Sequence, residues 1–222
     1  MNEYGSSANA IDGAIEQALR EKRLVGAVVL VAQDGEIVYR RAAGMSDREA
    51  GKPMALNTLF RLASVSKPIV STAALALMAQ GAMRLDDPIT RWLPNFRPRL
   101  ADGTTPLMTL RHLMTHTAGL SYRFFQPEGG FYAQLGVSDG MDEASVSLQE
   151  NVRRIACAPL LAAPGAAWRY SIATDVLGAA IEQASGLPLA QAVKKWVTGP
   201  LTMTDTDFLA VDAARLAAAY AD

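Results

Sequence analysis

Between Lys67 and Gly81 the chain reads Pro-Ile-Val-Ser-Thr-Ala-Ala-Leu-Ala-Leu-Met-Ala-Gln, thirteen residues without a charge. Ala, Leu and Met are strong helix formers, and a run this apolar favours burial. The run therefore predicts a buried helix ending near Gly81, and the rest of the chain must pack around it. Leading into it, Ser64-Val-Ser-Lys67 puts a hydroxyl and an amine three positions apart, on one face of the helix start. The hydroxyl then lies beside an amine and over the positive end of the helix dipole. An activated nucleophile needs both a nearby base and a field that favours the developing oxyanion. Pro68 fits, because proline is tolerated in a first helical turn and breaks a helix further in. The tetrapeptide alone recurs by chance on solvated helices, so its weight depends on its companions.

The companion is Pro164-Gly-Ala-Ala-Trp-Arg-Tyr-Ser-Ile-Ala-Thr-Asp-Val-Leu-Gly178. A Pro-Gly turn leads to Trp168 and Tyr170, and then to an apolar helical run from about 175 to 184. On a short segment before a helix, the Tyr170 phenol can point into a cleft. A lysine cation beside it would favour the phenolate, and such a tyrosine can carry the Ser64 proton to a leaving group. Read alone, Trp168 and Tyr170 are core aromatics with a satisfied hydroxyl. The order Ser-x-x-Lys followed by this tyrosine favours the chemical reading.

Ser-x-x-Lys is the nucleophile motif of serine β-lactamases and penicillin-binding proteins. With its neighbours, this chain resembles the serine β-lactamase-like superfamily, most closely the class C β-lactamases and family VIII carboxylesterases. The resemblance runs through strands around Gly26–Ala32 and Glu36–Ala43, and through Phe60-Arg-Leu-Ala-Ser-Val-Ser-Lys67. It continues in Gly81-Ala-Met-Arg-Leu-Asp-Asp-Pro-Ile89, Leu110-Arg-His-Leu-Met-Thr-His-Thr-Ala-Gly-Leu120, Trp168-x-Tyr-Ser171 and Pro200-Leu-Thr-Met203. It implies that Ser64 is the acylated nucleophile, Lys67 its general-base partner and Tyr170 the second proton-transfer group. It also implies an α/β (α+β) fold of the β-lactamase/DD-peptidase type: an antiparallel sheet lobe, an inserted helical lobe, and Ser64 on the floor of the cleft between them.

Two departures stand out. The lactamases and peptidases carry Tyr-x-Asn, whose amide helps hold an acylamino side chain, whereas here the third position is Ile172 and Ser171 follows the tyrosine as in the esterase branch. An apolar residue cannot supply that hydrogen bond, so a simple ester is favoured over a β-lactam. The family also closes its sheet with C-terminal strands, one bearing Lys-Thr-Gly or His/Trp-Gly-Gly and lending the second oxyanion-hole amide. Thr198-Gly199 instead follows Trp196-Val197, in a helix-to-Pro-Leu segment. The expectation is an N-terminal part of a longer enzyme, lacking a donor worth roughly 100- to 1,000-fold in rate. Its opening strands should carry an unpaired edge, and its partners should include its own missing C-terminal part or a homo-oligomer.

Half of the 222 residues are hydrophobic, enough for a real core. Lys+Arg 21 against Asp+Glu 22, with no basic stripe, argues against nucleic acid as a partner. No uninterrupted apolar stretch reaches transmembrane length, so no membrane partner is expected, and the opening Met-Asn-Glu-Tyr-Gly-Ser-Ser shows no export signal. Cytoplasmic residence is the default. The single cysteine, Cys157, reads as a small core residue.

Residues 11–23 are helical by period. Val25–Ala32 and Glu36–Ala43 flank Gln33-Asp34-Gly35, a strong hairpin signal. From 59 to about 190 the chain reads as mostly helical, cut by loops at 86–106 and 118–145, and it ends Ala-rich at 213–221. One domain over 1–222 is expected, with 1–58 opening the α/β lobe, 59–190 forming the helical lobe and 191–222 returning toward the first.

Three further motifs compete for a chemical role. Gly136-Val-Ser-Asp-Gly140 matches a nucleophile elbow, but Tyr132-Ala-Gln-Leu is a poor buried strand and both histidines lie earlier, so Ser138 reads as a loop residue. His112 and His116, four apart, would share a helical face. Without a glutamate after the first they are not a zincin pair, and no metal and no cofactor are expected. His116-Thr-Ala-Gly119 reads instead as a helix terminus with a glycine cap, His116 bonding backbone below the cleft. Tyr122, Phe124, Phe125, Phe131 and Tyr132 crowd one loop, as ordinary packing or as an apolar acyl pocket. On the second reading Tyr122, Phe125 and Ser171 bind substrate.

The function expected is cleavage of a small-molecule carboxylic ester, short to medium in its acyl chain, through an acyl-enzyme on Ser64. Lys67, helped by Tyr170, would take the serine proton, which near neutral pH requires its pKa to be depressed by burial and the helix dipole, and Tyr170 would then protonate the leaving alcohol. The alternatives are a β-lactamase, D-peptidase or acyltransferase using the same three residues, and a non-catalytic penicillin-recognising or partner-binding scaffold.

Overall fold

A computed structural model describes residues 3–141 and 146–220, so Met1, Asn2, Ala221, Asp222 and the end of the loop expected over 118–145 lie outside the described residues. The chain forms two compact units, Met1–Ala63 with Asp205–Asp222, and Ser64–Thr204.

The first unit begins with α1 (Glu3–Arg20), which starts earlier than the expected helix and ends earlier. The chain leaves α1 through Lys22 in the left-handed region, at φ 56°. Strands β1 (Gly26–Gln33) and β2 (Glu36–Asp47) follow as the expected hairpin, β2 running four residues beyond its expected end. Asp34 and Gly35 both take positive φ, 52° and 83°, the two-residue turn whose twist matches the strands it joins. Pairing is antiparallel, with a register shift between Val31 and Ala32. A two-residue strand, β3 (Lys52–Pro53), pairs with β2 to complete the order β1-β2-β3. Arg41 of β2 ties α1 down through Asp12 at 2.6 Å and Glu16 at 2.5 Å, with Tyr39 donating to Asp12 at 2.6 Å. Leu216 runs parallel to Leu59, the Leu59 and Ala217 amides donating to the Arg215 and Leu59 carbonyls.

The second unit is helical and holds the main core. Helix α2 (Ser66–Ala79) is the uncharged run, but it is buried on one side only, through Val70, Ala73, Ala74 and Leu77. Leu75 on the opposite side is 50% exposed. The expected burial is thus carried by one face, which uniform apolarity did not mark. The short helices α3 (Leu110–Met114) and α4 (Phe131–Gln134) lie within long connections. Then come α5 (Leu148–Cys157), α6 (Ala173–Ser185) and α7 (Leu189–Val193), the last continuing into a π-helical turn at Lys194–Thr198. The span from 59 to 190 is therefore less helical than expected. The segment 86–106 is anchored instead by buried Ile89 and Phe96 and by the Ile89 amide donating to Met108.

The central element is α6. Val176, Leu177, Ala180 and Ile181 are fully enclosed, and α2, α3, α5 and α7 all pack on it. Gly178 sits where a side chain would come within 2.8 Å of Leu189 Cδ2, so its missing Cβ lets α7 approach. Cys157, expected in the core, is exposed at the last position of α5, its thiol donating to the Arg153 carbonyl at 3.4 Å. The amphipathic α5 turns Val152 and Ile155 inward, and Cys157 falls outside that stripe. Among the described residues, no helix is long and apolar enough to cross a membrane, and no three His, Cys, Asp or Glu side chains are grouped to hold a metal ion.

Candidate active site

Ser64 lies in a tight turn of 3-10 type that feeds into α2, and Ala63 before it is held in the left-handed region at φ 45°. Such a conformation in a non-glycine residue costs on the order of 1 kcal/mol or more and marks a chain bent for a purpose. The turn leaves Ser64 exposed and Lys67 in the first turn of α2 on the same side. Lys67 Nζ donates to Ser64 Oγ at 3.0 Å. Tyr170, on the segment entering α6, places its hydroxyl 2.6 Å from the same oxygen. The structure thus brings together the three residues singled out in sequence.

Their ionisation differs from the expectation. Burial works to lower the Lys67 pKa, but Tyr122 and Tyr170 beside it outweigh that, and the amine is held above its usual range. Lys67 rests 4.8 Å from the centre of the Tyr170 ring and 5.4 Å from that of Tyr122. Burial works to raise the Tyr170 pKa, but Lys67 and Ser64 overcome it and pull the phenol below the usual tyrosine value. Tyr122 faces the same cation and is pushed up instead, because it is buried. Two phenols next to one ammonium are thereby driven apart: Lys67 holds its proton more firmly than an ordinary lysine, and Tyr170 releases its proton more readily than Tyr122.

Of the residues expected to bind substrate, Phe125 is 60% exposed, with Phe124 beside it at a ring separation of 4.6 Å. Tyr122 is buried under them, stacked on Phe124 at 4.7 Å and tilted against Tyr170 at 5.5 Å, so it forms the wall behind Lys67. Ser171 is 0% exposed, with its hydroxyl 3.4 Å from His116 Nδ1. Tyr132 is likewise core: its hydroxyl accepts from the Ser121 amide at 3.2 Å, and burial pushes its pKa up to about 12.

The competing motifs resolve. Ser138 follows α4 rather than a strand, and its amide donates to Asn151 Oδ1 at 2.9 Å, so the nucleophile elbow is not formed. His112 and His116 do not share a helical face. His112 caps the start of α3, its Nδ1 accepting from the Thr109 amide at 3.2 Å. His116 lies beyond the end of α3 at φ 54°, itself filling the left-handed capping position expected of Gly119. Trp168, which read alone looked like a core aromatic, is 68% exposed and tilted against Tyr170 at 6.5 Å; sequence reasoning missed Asp175, whose burial lifts its pKa to about 6 in the field of Lys67. An acid in the first turn of a helix looks ordinary in sequence, since the dipole favours it there, and only packing reveals the burial.

The chain matches the Beta-lactamase family model over residues 11–222. It is 56% identical over 217 residues to esterase EstB of Burkholderia gladioli, covering 98% of this chain and 55% of that protein. EstCE1, a hydrolase with promiscuous acyltransferase activity, superposes with a TM-score of 0.97 at 48% identity, over 99% of this chain and 57% of that one. Simvastatin synthase (LovD) from Aspergillus terreus gives a TM-score of 0.71 at 27% identity, over 91% and 54%. The chain therefore spans about half the length of these relatives, and the α+β architecture of the two units is of the β-lactamase/DD-peptidase type. The chain belongs to the Beta-lactamase family.

Proposed function

We propose that the protein is a serine hydrolase that cleaves carboxylic esters through an acyl-enzyme on Ser64. One observation carries this reading: Ser64 Oγ, exposed, lies within hydrogen-bond reach of both Lys67 Nζ at 3.0 Å and the Tyr170 hydroxyl at 2.6 Å. Tyr170, as phenolate beside the Lys67 ammonium, takes the Ser64 proton while Oγ attacks the ester carbonyl carbon. The oxyanion gathers at the positive end of α2, near the Ser64 amide. The carbon–alkoxy bond then breaks, and Tyr170 returns its proton to the leaving alkoxide. Water repeats the sequence in reverse: it gives Tyr170 a proton, its oxygen joins the acyl carbon, and Ser64 departs and is reprotonated. Exposed Phe124 and Phe125 give a short to medium acyl chain an apolar surface.

The preference for an ester rests on Ile172. It occupies the position of the amide that holds an acylamino group in the lactamases, and it is 1% exposed within the core. Transfer of the acyl group to an alcohol other than water is the second reading, supported by the acyltransferase activity named for EstCE1.

The test weighs the intact chain after treatment with a fluorophosphonate, beside a Ser64→Ala control. A single adduct on the wild type that is missing from the control is expected. An adduct elsewhere, or none, overturns Ser64 as an activated nucleophile. In parallel, p-nitrophenyl butyrate should acylate the protein far faster than nitrocefin, and equal rates would remove the argument from Ile172.

A further inference from the structure

The backbone on both sides of Tyr170 is tied to one residue. The Arg169 amide donates to the His116 carbonyl at 2.7 Å, and the Ser171 amide donates to His116 Nδ1 at 3.2 Å. Between these two bonds the imidazole lies against the Tyr170 ring, centroids 4.8 Å apart, with Trp168 edge-on at 6.3 Å. His116 accomplishes this from the left-handed region, at φ 54°, where few side chains are comfortable. A strained conformation persists only where its surroundings enforce it; here the His116 amide donates back to the Leu113 carbonyl at 3.3 Å, while its carbonyl and Nδ1 both accept from the tyrosine segment.

We infer that His116 is a positioning residue for Tyr170: its carbonyl and Nδ1 clamp residues 169 and 171, and its ring sets the angle at which the phenol meets Ser64 and Lys67. This rests on the reading of Tyr170 as the proton-transfer group. Accepting from an amide requires Nδ1 to be unprotonated, so the N–H of the neutral ring is on Nε2. Burial and the charge of Lys67 both lower the His116 pKa, which keeps the ring neutral around pH 7. The groups acting on the Tyr170 phenol are Lys67 from α2, Ser64 before it, and Tyr122. His116 touches none of the reacting atoms. It fixes where the phenol stands among those that do.

Asparagine separates the parts. Its side-chain oxygen falls where Nδ1 is, and it tolerates left-handed backbone better than most residues. Glutamine carries its oxygen one bond further out. Glycine relieves the backbone but supplies neither acceptor nor ring. Two readouts follow in the full chain: the rate of fluorophosphonate labelling at Ser64 from pH 6 to 10, and the Tyr170 titration by NMR of [13Cζ]-tyrosine, assigned with Tyr170→Phe. In His116→Gly, labelling at pH 7.5 is expected to slow roughly tenfold, the scale of one lost hydrogen bond, and the Tyr170 titration to move up toward an ordinary tyrosine. His116→Asn should recover most of both losses, and His116→Gln should not.

Wild-type rate and titration in His116→Gly, or a loss in His116→Asn as deep as in His116→Gln, would overturn the clamp. Should the glycine variant fail to fold, by circular dichroism, the asparagine–glutamine pair decides the question. A wild type that is not labelled at Ser64 defeats the hydrolase reading instead, and the titration still judges the clamp.

Discussion

Ser64 shares its oxygen between an amine at 3.0 Å and a phenol at 2.6 Å, and the environment moves the two partners in opposite directions. Against the effect of burial on each, Lys67 is held above the usual 10.5 by Tyr122 and Tyr170, and Tyr170 below the usual 10.0 by Lys67 and Ser64. On the proposed mechanism, acylation needs Tyr170 deprotonated and Lys67 protonated. The rate of labelling by an activated ester should rise with pH through the lowered Tyr170 titration, and fall only once Lys67 discharges, beyond the ordinary lysine value. Tyr170→Phe keeps the ring and loses the base, at a cost of roughly 100- to 10,000-fold, and its profile should lose the rising limb. Tyr122 cannot substitute, since burial pushes its phenol up. Lys67→Ala should abolish acylation while leaving the fold intact by circular dichroism, and should return Tyr170 toward an ordinary pKa. Near-full activity in either variant would end the mechanism. Much of this site was legible in sequence, because Ser64 and Lys67 are neighbours on one helical turn and Tyr170 stands before a helix with a Pro-Gly turn behind it. The direction in which each pKa moves was not. Whether a lysine or a tyrosine gives way depends on which is more enclosed and what else faces it, and no spacing encodes that.

Elements whose role is written in local pattern were found, and those defined by their neighbours were not. The β1–β2 hairpin was legible because Asp-Gly fixes the turn and the turn fixes the register. β3, two residues long, exists only because β2 offers an edge. The uncharged run was rightly read as helix, yet Leu75 is half-exposed, since composition shows that a helix can be buried without showing from how many sides. α6 is the helix enclosed on nearly every face, and its interior should dominate the stability of the second unit. Ile181→Ala leaves a cavity among 0% exposed neighbours such as Leu177, at a cost of about 2–5 kcal/mol. Ser147→Ala removes the cap of α5, whose hydroxyl accepts from the Glu150 amide at 3.2 Å, at about 0.5–2 kcal/mol. Urea unfolding of both variants checks the order, and a cap worth more than the cavity would show that α6 is not the centre of this core.

Across the molecule the acidic side chains divide by what surrounds them, and the division gives stability a maximum in pH. Arg153 and Arg154 hold Glu150 down at about 2, and Asp12, Asp86 and Asp205 are lowered by Tyr39 and Arg41, by Arg111 and by Arg215. Stability from these groups is present above the ordinary carboxylate range and is lost as pH falls through their depressed values. Asp175 has the opposite sign. Burial raises it from 3.8 to about 6 against the pull of Lys67, so the folded chain keeps this proton after the unfolded chain has released it. Between those two values the folded state binds more protons than the unfolded state, and stability falls as pH rises. Above them the full cost is in place, on the order of 1–3 kcal/mol at ~1.4 kcal/mol per pKa unit. Asp175→Asn keeps the shape and removes the charge. Its unfolding free energy in urea should exceed that of the wild type at pH 8 and match it near pH 4, with the gap opening between. A constant gap at both pH values would mean that the gain comes from packing or hydrogen bonding. A wild type more stable at pH 8 would mean that the pull of Lys67 on the carboxylate outweighs the cost of burying it.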